Sequence, residues 1–233
     1  MSGVRVAISQ SNYLPWRGYF DMIASVDVFV LLDDVQFTRR DWRNRNRIKT
    51  PSGLSWLTIP VESKGQYQAT IAEIEASNES WKDLHLKTLT HAYSRSDHAK
   101  ETLDWLAGVY GELAAHNLHE INRHFIERIN VYLGIETVLV SSLDFSTPSE
   151  PTERLISICK ELDATTYVTG PAAGDYLQEG RFHSEGIAVE WFKYGPFPPY
   201  HQPWGTYEER VSIVDLLFNC GANSRNVFRG VDS

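Results

Sequence analysis

Asp33 and Asp34 follow directly on an apolar run. Paired carboxylates at the end of a buried strand can hold a metal, bind a ribose hydroxyl, orient a substrate amine or accept a proton as general base. Either both face a site, or one caps a turn and the other alone serves it; Gln36 extends the pair. Upstream, the turn QSNYLPWRGY gathers amides at Gln10 and Asn12, phenols at Tyr13 and Tyr19, an indole at Trp16 and a guanidinium at Arg17. Pro15 stiffens this turn, and Gly18 allows the backbone close approach to a ligand at a helix N-terminus, where free N–H groups favour anions. The turn reads as a pocket wall, the alternative being a hydrophobic plug of Tyr13, Leu14 and Trp16 over a sheet. Downstream, RRDWRNRNRIK over residues 39–49 carries six cations and one acid. Such a block is either a solvated face or a clamp. Trp42, Asn44 and Asn46 interleave with Arg43, Arg45 and Arg47, which favours the clamp, since guanidinium forks bind phosphate bidentately and a tryptophan face stacks on a base or sugar. The reading is a diphosphate clamp for a nucleotide-linked or lipid-linked sugar.

Two later stretches add candidates. TGPAAGDYL brings Thr169, Gly170, Gly174, Asp175 and Tyr176 to a strand end, where a Gly-Pro turn opening a helix can cradle phosphate, although the lysine and hydroxyl of a P-loop are missing. The loop KYGPFPPYHQPWGTY bears Tyr194, Tyr200, His201, Gln202 and Trp204, rings and amides of the kind that line sugar sites. His201 is nominated as a general base beside Asp33 and Asp34 because imidazole titrates near neutrality; a packing or surface histidine is the competing reading. The histidines at 85, 91, 98, 116, 119 and 124 form no H-E-x-x-H motif, and no metal is expected. Cys159 and Cys220, far apart, suggest neither disulfide nor zinc cluster.

The elements that must position these groups follow from periodicity. Residues 4–9 and 28–32 read as strands, the second apolar enough to be buried on both faces, with a helix at 18–24 between them; the two strands are therefore expected to be parallel. Ligands of open parallel sheets bind at the carboxyl ends of the strands, which is where the turn and the carboxylates lie. Residues 54–61 read as a strand pairing with 67–76. Residues 81–133 turn helical, with Ser80 as an N-cap, and α/β alternation resumes with strands at 136–141, 165–168 and 187–192 and helices at 151–162 and 209–219. The expected fold class is α/β: one domain over residues 1–233 with an open, mostly parallel Rossmann-like sheet and a helical insertion at 80–134.

The chain has 233 residues, 42% hydrophobic, and a net charge of -8, which disfavours generic nucleic-acid binding. Without a secretory signal pattern or an apolar run approaching about 18 residues, no membrane insertion and a cytoplasmic location are expected.

The order I-x-Q-x-N-Y-L-P-W-x-G-Y-F-D from Ile8, D-x-F-V-x-x-D-D-V-Q-F from Asp27 and W-x-N-R-N-x-I from Trp42 resembles the WbqC-like family, found among bacterial polysaccharide and glycan gene sets. The likeness continues through WLTIPV at 56–61, TTYVTG at 165–170, DYL at 175–177, PPYHQP and SIVDLLFNCG. Ser11 departs from it, standing where the family more often has proline. The resemblance implies work on sugar-linked intermediates: a transferase adding an acyl or aminoacyl group to the amine of a nucleotide-linked amino sugar, with acyl-CoA or aminoacyl-tRNA as donor. A weaker topological likeness, to the H-x-G-H superfamily of nucleotidyltransferases and adenylate-forming ligases, implies ATP and magnesium. Trp16 and Tyr19 stand where its two histidines would be, which counts against that chemistry. A non-catalytic sugar-nucleotide binding factor is the third reading.

Overall fold

The computed structural model describes residues 3–175 and 177–230, the side chain of Asp175 excepted. In chain order the elements are β1 (Val4–Ser9), α1 (Arg17–Ala24), β2 (Val28–Leu31), β3 (Arg45–Thr50), β4 (Gly53–Thr58), α2 (Trp81–Tyr93), α3 (Ala99–Glu112), α4 (Leu118–Leu133), β5 (Val138–Ser141), α5 (Pro151–Glu161), β6 (Ala164–Thr169), α6 (Glu179–Ser184), β7 (Ala188–Trp191), α7 (Ile213–Cys220) and α8 (Ser224–Val227). Five strands form one sheet in the order β5-β2-β1-β6-β7, and every neighbouring pair is parallel. By order of appearance among these five strands, this is the 3-2-1-4-5 arrangement of a Rossmann-like α/β sheet. The direction of winding reverses between β1 and β6, and that switch point is where such sheets bind ligands.

Side-chain alternation divides the core. Val6 and Ile8 of β1, with Val30 of β2, pack against Leu155 and Ile158 of α5 and Phe182 of α6. Ala7, Phe29 and Leu31 face the other way, into a larger core shared with α1, α2, α3, α4 and α7. The sheet therefore lies between two apolar layers, and its strands read as near-continuous apolar runs. Local signals set the helix ends. Asn117 caps α4 by accepting from Glu120 N at 2.9 Å, and Gly134 stops it at φ 71°. Pro151 opens α5 behind the Glu150 cap. Among the described residues no helix is long and apolar enough to cross a membrane.

One pairing differs from expectation. The partner of β4 is β3, in an antiparallel hairpin from Arg45↔Thr58 to Thr50↔Gly53, and not the stretch 67–76. The basic block is thus partly a strand whose period-2 pattern is carried by Asn46 and Ile48 facing inward and Arg45 and Arg47 facing outward, an alternation masked by its charge. Residues 67–76 instead hold a 3-10 turn at Ile71–Glu73 that buries Ile71 and Ile74 in the larger core, and pair with neighbours through isolated bridges such as Val61↔Ala76 and Gln36↔Thr70.

Candidate functional site

A cavity of about 440 Å³ opens at the switch point. Ile8, Ser9 and Gln10 line it from the end of β1, Thr169 and Gly170 from the end of β6, and Pro151 and Arg154 from the start of α5. Arg43 and Tyr194 close it, and the described lining residues include two guanidiniums and no carboxylate, imidazole or thiol. Arg43 is drawn in from the segment before β3 by a hydrogen bond to Asn12 Oδ1 and an ion pair with Asp41 at 3.5 Å. Burial lowers the pKa of its guanidinium while Asp41, Tyr19 and Asp33 pull the other way, and its buried Nε has no hydrogen-bond partner among the described residues. Burial pushes the Tyr194 phenol up to about 12, so at neutral pH it is a donor, not a base. Among the described residues its hydroxyl has only Met22 Sδ, at 4.0 Å, to donate to. A more open hollow of about 520 Å³ lies at the opposite, amino end of the sheet around Asp27, Gly134 and Arg225, the edge that such sheets do not use for ligands.

The two carboxylates part company. Asp33 is fully buried, accepting from Ser11 N at 2.9 Å and from His119 Nδ1 at 2.7 Å. In the neutral ring that bond leaves His119 Nε2 to accept from Ser141 Oγ at 3.3 Å. The arrangement has the connectivity of a serine triad. Ser141 and His119 are buried, though, Ser141 Oγ also accepts from Leu143 N, and neither residue lines the cavity. Asp34 accepts from Ser142 Oγ at 2.6 Å and stands 3.7 Å from Arg154, at the margin of the cavity.

The aromatic turn also divides. Tyr13 and Leu14 are core, the Tyr13 hydroxyl bonded to His85 Nδ1 at 2.8 Å and to Tyr110, so for these two the plug reading describes the packing. Tyr19 is buried too and donates to Gln10 O at 3.1 Å. Gln10 stays on the cavity, while Asn12 and Trp16, with Trp42 and Asn46, line a second cavity beside it. Gly18 serves a ring, not a ligand: a Cβ there would lie 2.4 Å from the Trp16 indole. Gly170 likewise leaves room for Tyr194, whose hydroxyl would be 3.0 Å from an added Cβ.

Most of the remaining sequence candidates bond to the protein's own atoms. Asn44 donates to Ile59 O, and Asn46 to the carbonyls of Tyr13 and Leu14, so both asparagines bind backbone. Arg45 stacks 4.0 Å over Trp56 and bonds Arg40 O, and Gln36 donates to Tyr67 O at 2.6 Å. Tyr200 and Gln202 belong to a buried knot, donating to Asp215 Oδ1 at 2.8 and 2.7 Å while Lys49 donates to Gln202 Oε1. His201 is exposed and lines neither cavity. The side chain of Asp175 and all of Tyr176 lie outside the described residues. Sequence reasoning passed over Arg154 and Arg210, single cations without a motif, and noted His119 only as one of six histidines outside any metal motif. Cys159 is core, its thiol pushed up to about 12 by burial, and Cys220 up to about 11. Among the described residues no group of three His, Cys, Asp or Glu could hold a metal ion.

Fold and cavity together define an open parallel α/β protein with a cationic cavity at its sheet switch point. The chain belongs to the WbqC-like protein family, which it matches over residues 10–227. It is 47% identical over 225 residues, 97% of either chain, to uncharacterized protein Rv1507c of Mycobacterium tuberculosis (strain ATCC 25618 / H37Rv). No solved structure matches it.

Proposed function

We propose that the strand-end cavity binds the diphosphate of a nucleotide-linked amino sugar, and that the protein transfers an acyl or aminoacyl group to the sugar's amine. The observation that carries this reading is a cavity at the switch point with Arg43 and Arg154 in its lining and no carboxylate among its described residues, in a chain whose net charge is -8. Local cations against a global negative charge mark a place for a specific anion. Arg43, with its orphan buried Nε, and Arg154 hold the phosphates, while Gln10, Thr169 and Tyr194 supply neutral polar contacts. In the transfer, the amine nitrogen bonds the acyl carbon and the carrier's C–S or C–O bond breaks. The amine's proton passes to Asp34 and from it to the departing thiolate or alkoxide. Asp33 is a positioning residue that holds Ser11 and His119.

The test is a thermal-shift panel with UDP- and dTDP-linked amino sugars, ATP with magnesium, and acyl-CoAs. At about 100 times Kd, a native-state ligand adds about 2.7 kcal/mol of stability. The amino-sugar nucleotides should raise the Tm of the wild type and leave that of the Arg43→Ala/Arg154→Ala double variant unmoved. A shift with ATP and magnesium alone would favour the adenylate-forming reading instead. A binding factor without turnover is the second reading, favoured by a described lining free of groups that titrate near neutrality. Mass spectrometry of the sugar nucleotide after incubation with donors separates the two.

A further inference from the structure

The second cavity, of about 400 Å³, differs in composition from the first. Trp16, Trp42 and Tyr194 give it three rings, Arg47 and Arg210 two guanidiniums, and its described lining holds no carboxylate. The Trp16 and Tyr194 centroids are 5.3 Å apart. From Trp42 the same chemistry continues over the hairpin as a ladder: Arg47 lies 5.7 Å from the Trp42 centroid, Trp42 lies 5.4 Å from Trp56, and Arg45 lies 4.0 Å over Trp56. Trp42 and Trp56 remain 40% and 43% exposed. Rings alternating with guanidiniums match a nucleotide, whose base stacks on the rings while its phosphate meets the cations. Two contacts join this cavity to the strand-end one. Tyr194 lines both, and Arg43 of the first donates to Asn12 of the second.

We propose that this second cavity is the donor site, holding the donor by a purine nucleotide bearing phosphate, so that the transferable group meets the acceptor near Tyr194. The proposal rests on the strand-end cavity being the acceptor's site. Two carriers share the required chemistry, coenzyme A and the 3′ end of tRNA, since both present an adenosine with phosphate. The whole-chain charge opposes broad nucleic-acid binding but not capture of one nucleotide at a local cationic box.

The test titrates the full chain calorimetrically with adenosine 3′,5′-bisphosphate, the nucleotide end of coenzyme A, with the trinucleotide CCA, and with UDP. Wild type is compared with Arg210→Ala and Trp42→Ala, both surface changes, and with Arg43→Ala. At least one purine probe should bind saturably, and each of the first two variants should weaken it by about tenfold or more, while UDP affinity stays at the wild-type value. Binding of the bisphosphate alone assigns coenzyme A as the source, and of CCA alone the tRNA end; either result supports a purine-nucleotide donor site. The proposal is overturned if neither probe saturates in the millimolar range, if binding ignores both Arg210→Ala and Trp42→Ala, or if UDP displaces the probe competitively, which would make the two cavities one site. Failure of the acceptor reading shows separately, as absence of UDP binding or its indifference to Arg43→Ala.

Discussion

Asp33 and Gly170 show how a residue type announces close contact without naming the partner. A carboxylate closing an apolar strand and a glycine at a strand end both read as ligand groups, and both are spent on the protein's own atoms. Asp33 holds Ser11 N and His119, so Asp33→Ala strands two buried donors at about 1–3 kcal/mol each. Urea unfolding should register that loss, with nucleotide-sugar affinity kept in the folded fraction; unchanged stability with abolished binding would return Asp33 to the ligand. At Gly170 an added methyl meets Tyr194 Oη at 3.0 Å and Met22 Cε at 3.4 Å, and the ring must give way. Gly170→Ala should weaken nucleotide-sugar binding by about 0.5–1.5 kcal/mol, the worth of one hydrogen bond, and Tyr194→Phe by a similar amount. Calorimetric Kd values for the two variants check this, and no additional loss is expected when they are combined.

At the scale of elements, the basic block is best understood as a strand that fastens the aromatic turn. Leu14 sits at φ 42°, a region that L residues with branched side chains rarely visit. Its carbonyl accepts from Asn46 Nδ2 at 2.8 Å and from Ser212 Oγ at 2.7 Å, bonds from β3 and from the cap of α7 that hold the strained turn between them. Asn46→Ala is expected to cost about 1–3 kcal/mol, read as a lower urea midpoint with unchanged m-value; an unmoved midpoint would show that β3 does not secure the turn. A comparable anchor holds the loop that carries Tyr194. The buried Arg17 guanidinium donates to Pro198 O and to Tyr207 Oη, both at 2.7 Å, and stacks 4.5 Å from the Phe197 ring.

For the whole molecule, acid stability should be governed in part by His85. Burial between α2 and the turn lowers its pKa from 6.5 to about 4, while its bond to Thr58 O acts weakly the other way. The native state therefore binds fewer protons than the unfolded chain between these values, and stability rises with pH across that window. It is complete above about 6.5 and falls away as pH drops toward 4, by an amount on the order of 3 kcal/mol. Urea midpoints at pH 7 and pH 4.5 should differ more for the wild type than for His85→Gln; equal differences would assign the acid lability to other groups.

Much of the frame was legible in the chain itself. Val4–Ser9, the 28–32 run and the short helix between them predict a parallel unit, because period and length constrain local structure strongly and a short helical crossover admits one handedness. The strand-end edge followed from that topology, and Gln10, Arg43 and Gly170 line the cavity that opens there. What the sequence could not decide was which members of each cluster turn toward the cavity. Asp33 or Asp34, Tyr13 or Trp16, Tyr194 or His201 are chosen by partners from distant parts of the chain: His119 from α4, Tyr110 from α3, Arg17 against the 193–210 loop. Burial and hydrogen-bond satisfaction are properties of the assembled packing, and a buried polar group goes where its partner lies. The same holds for Arg154 and Arg210, isolated in sequence and brought to the two cavities by tertiary structure alone.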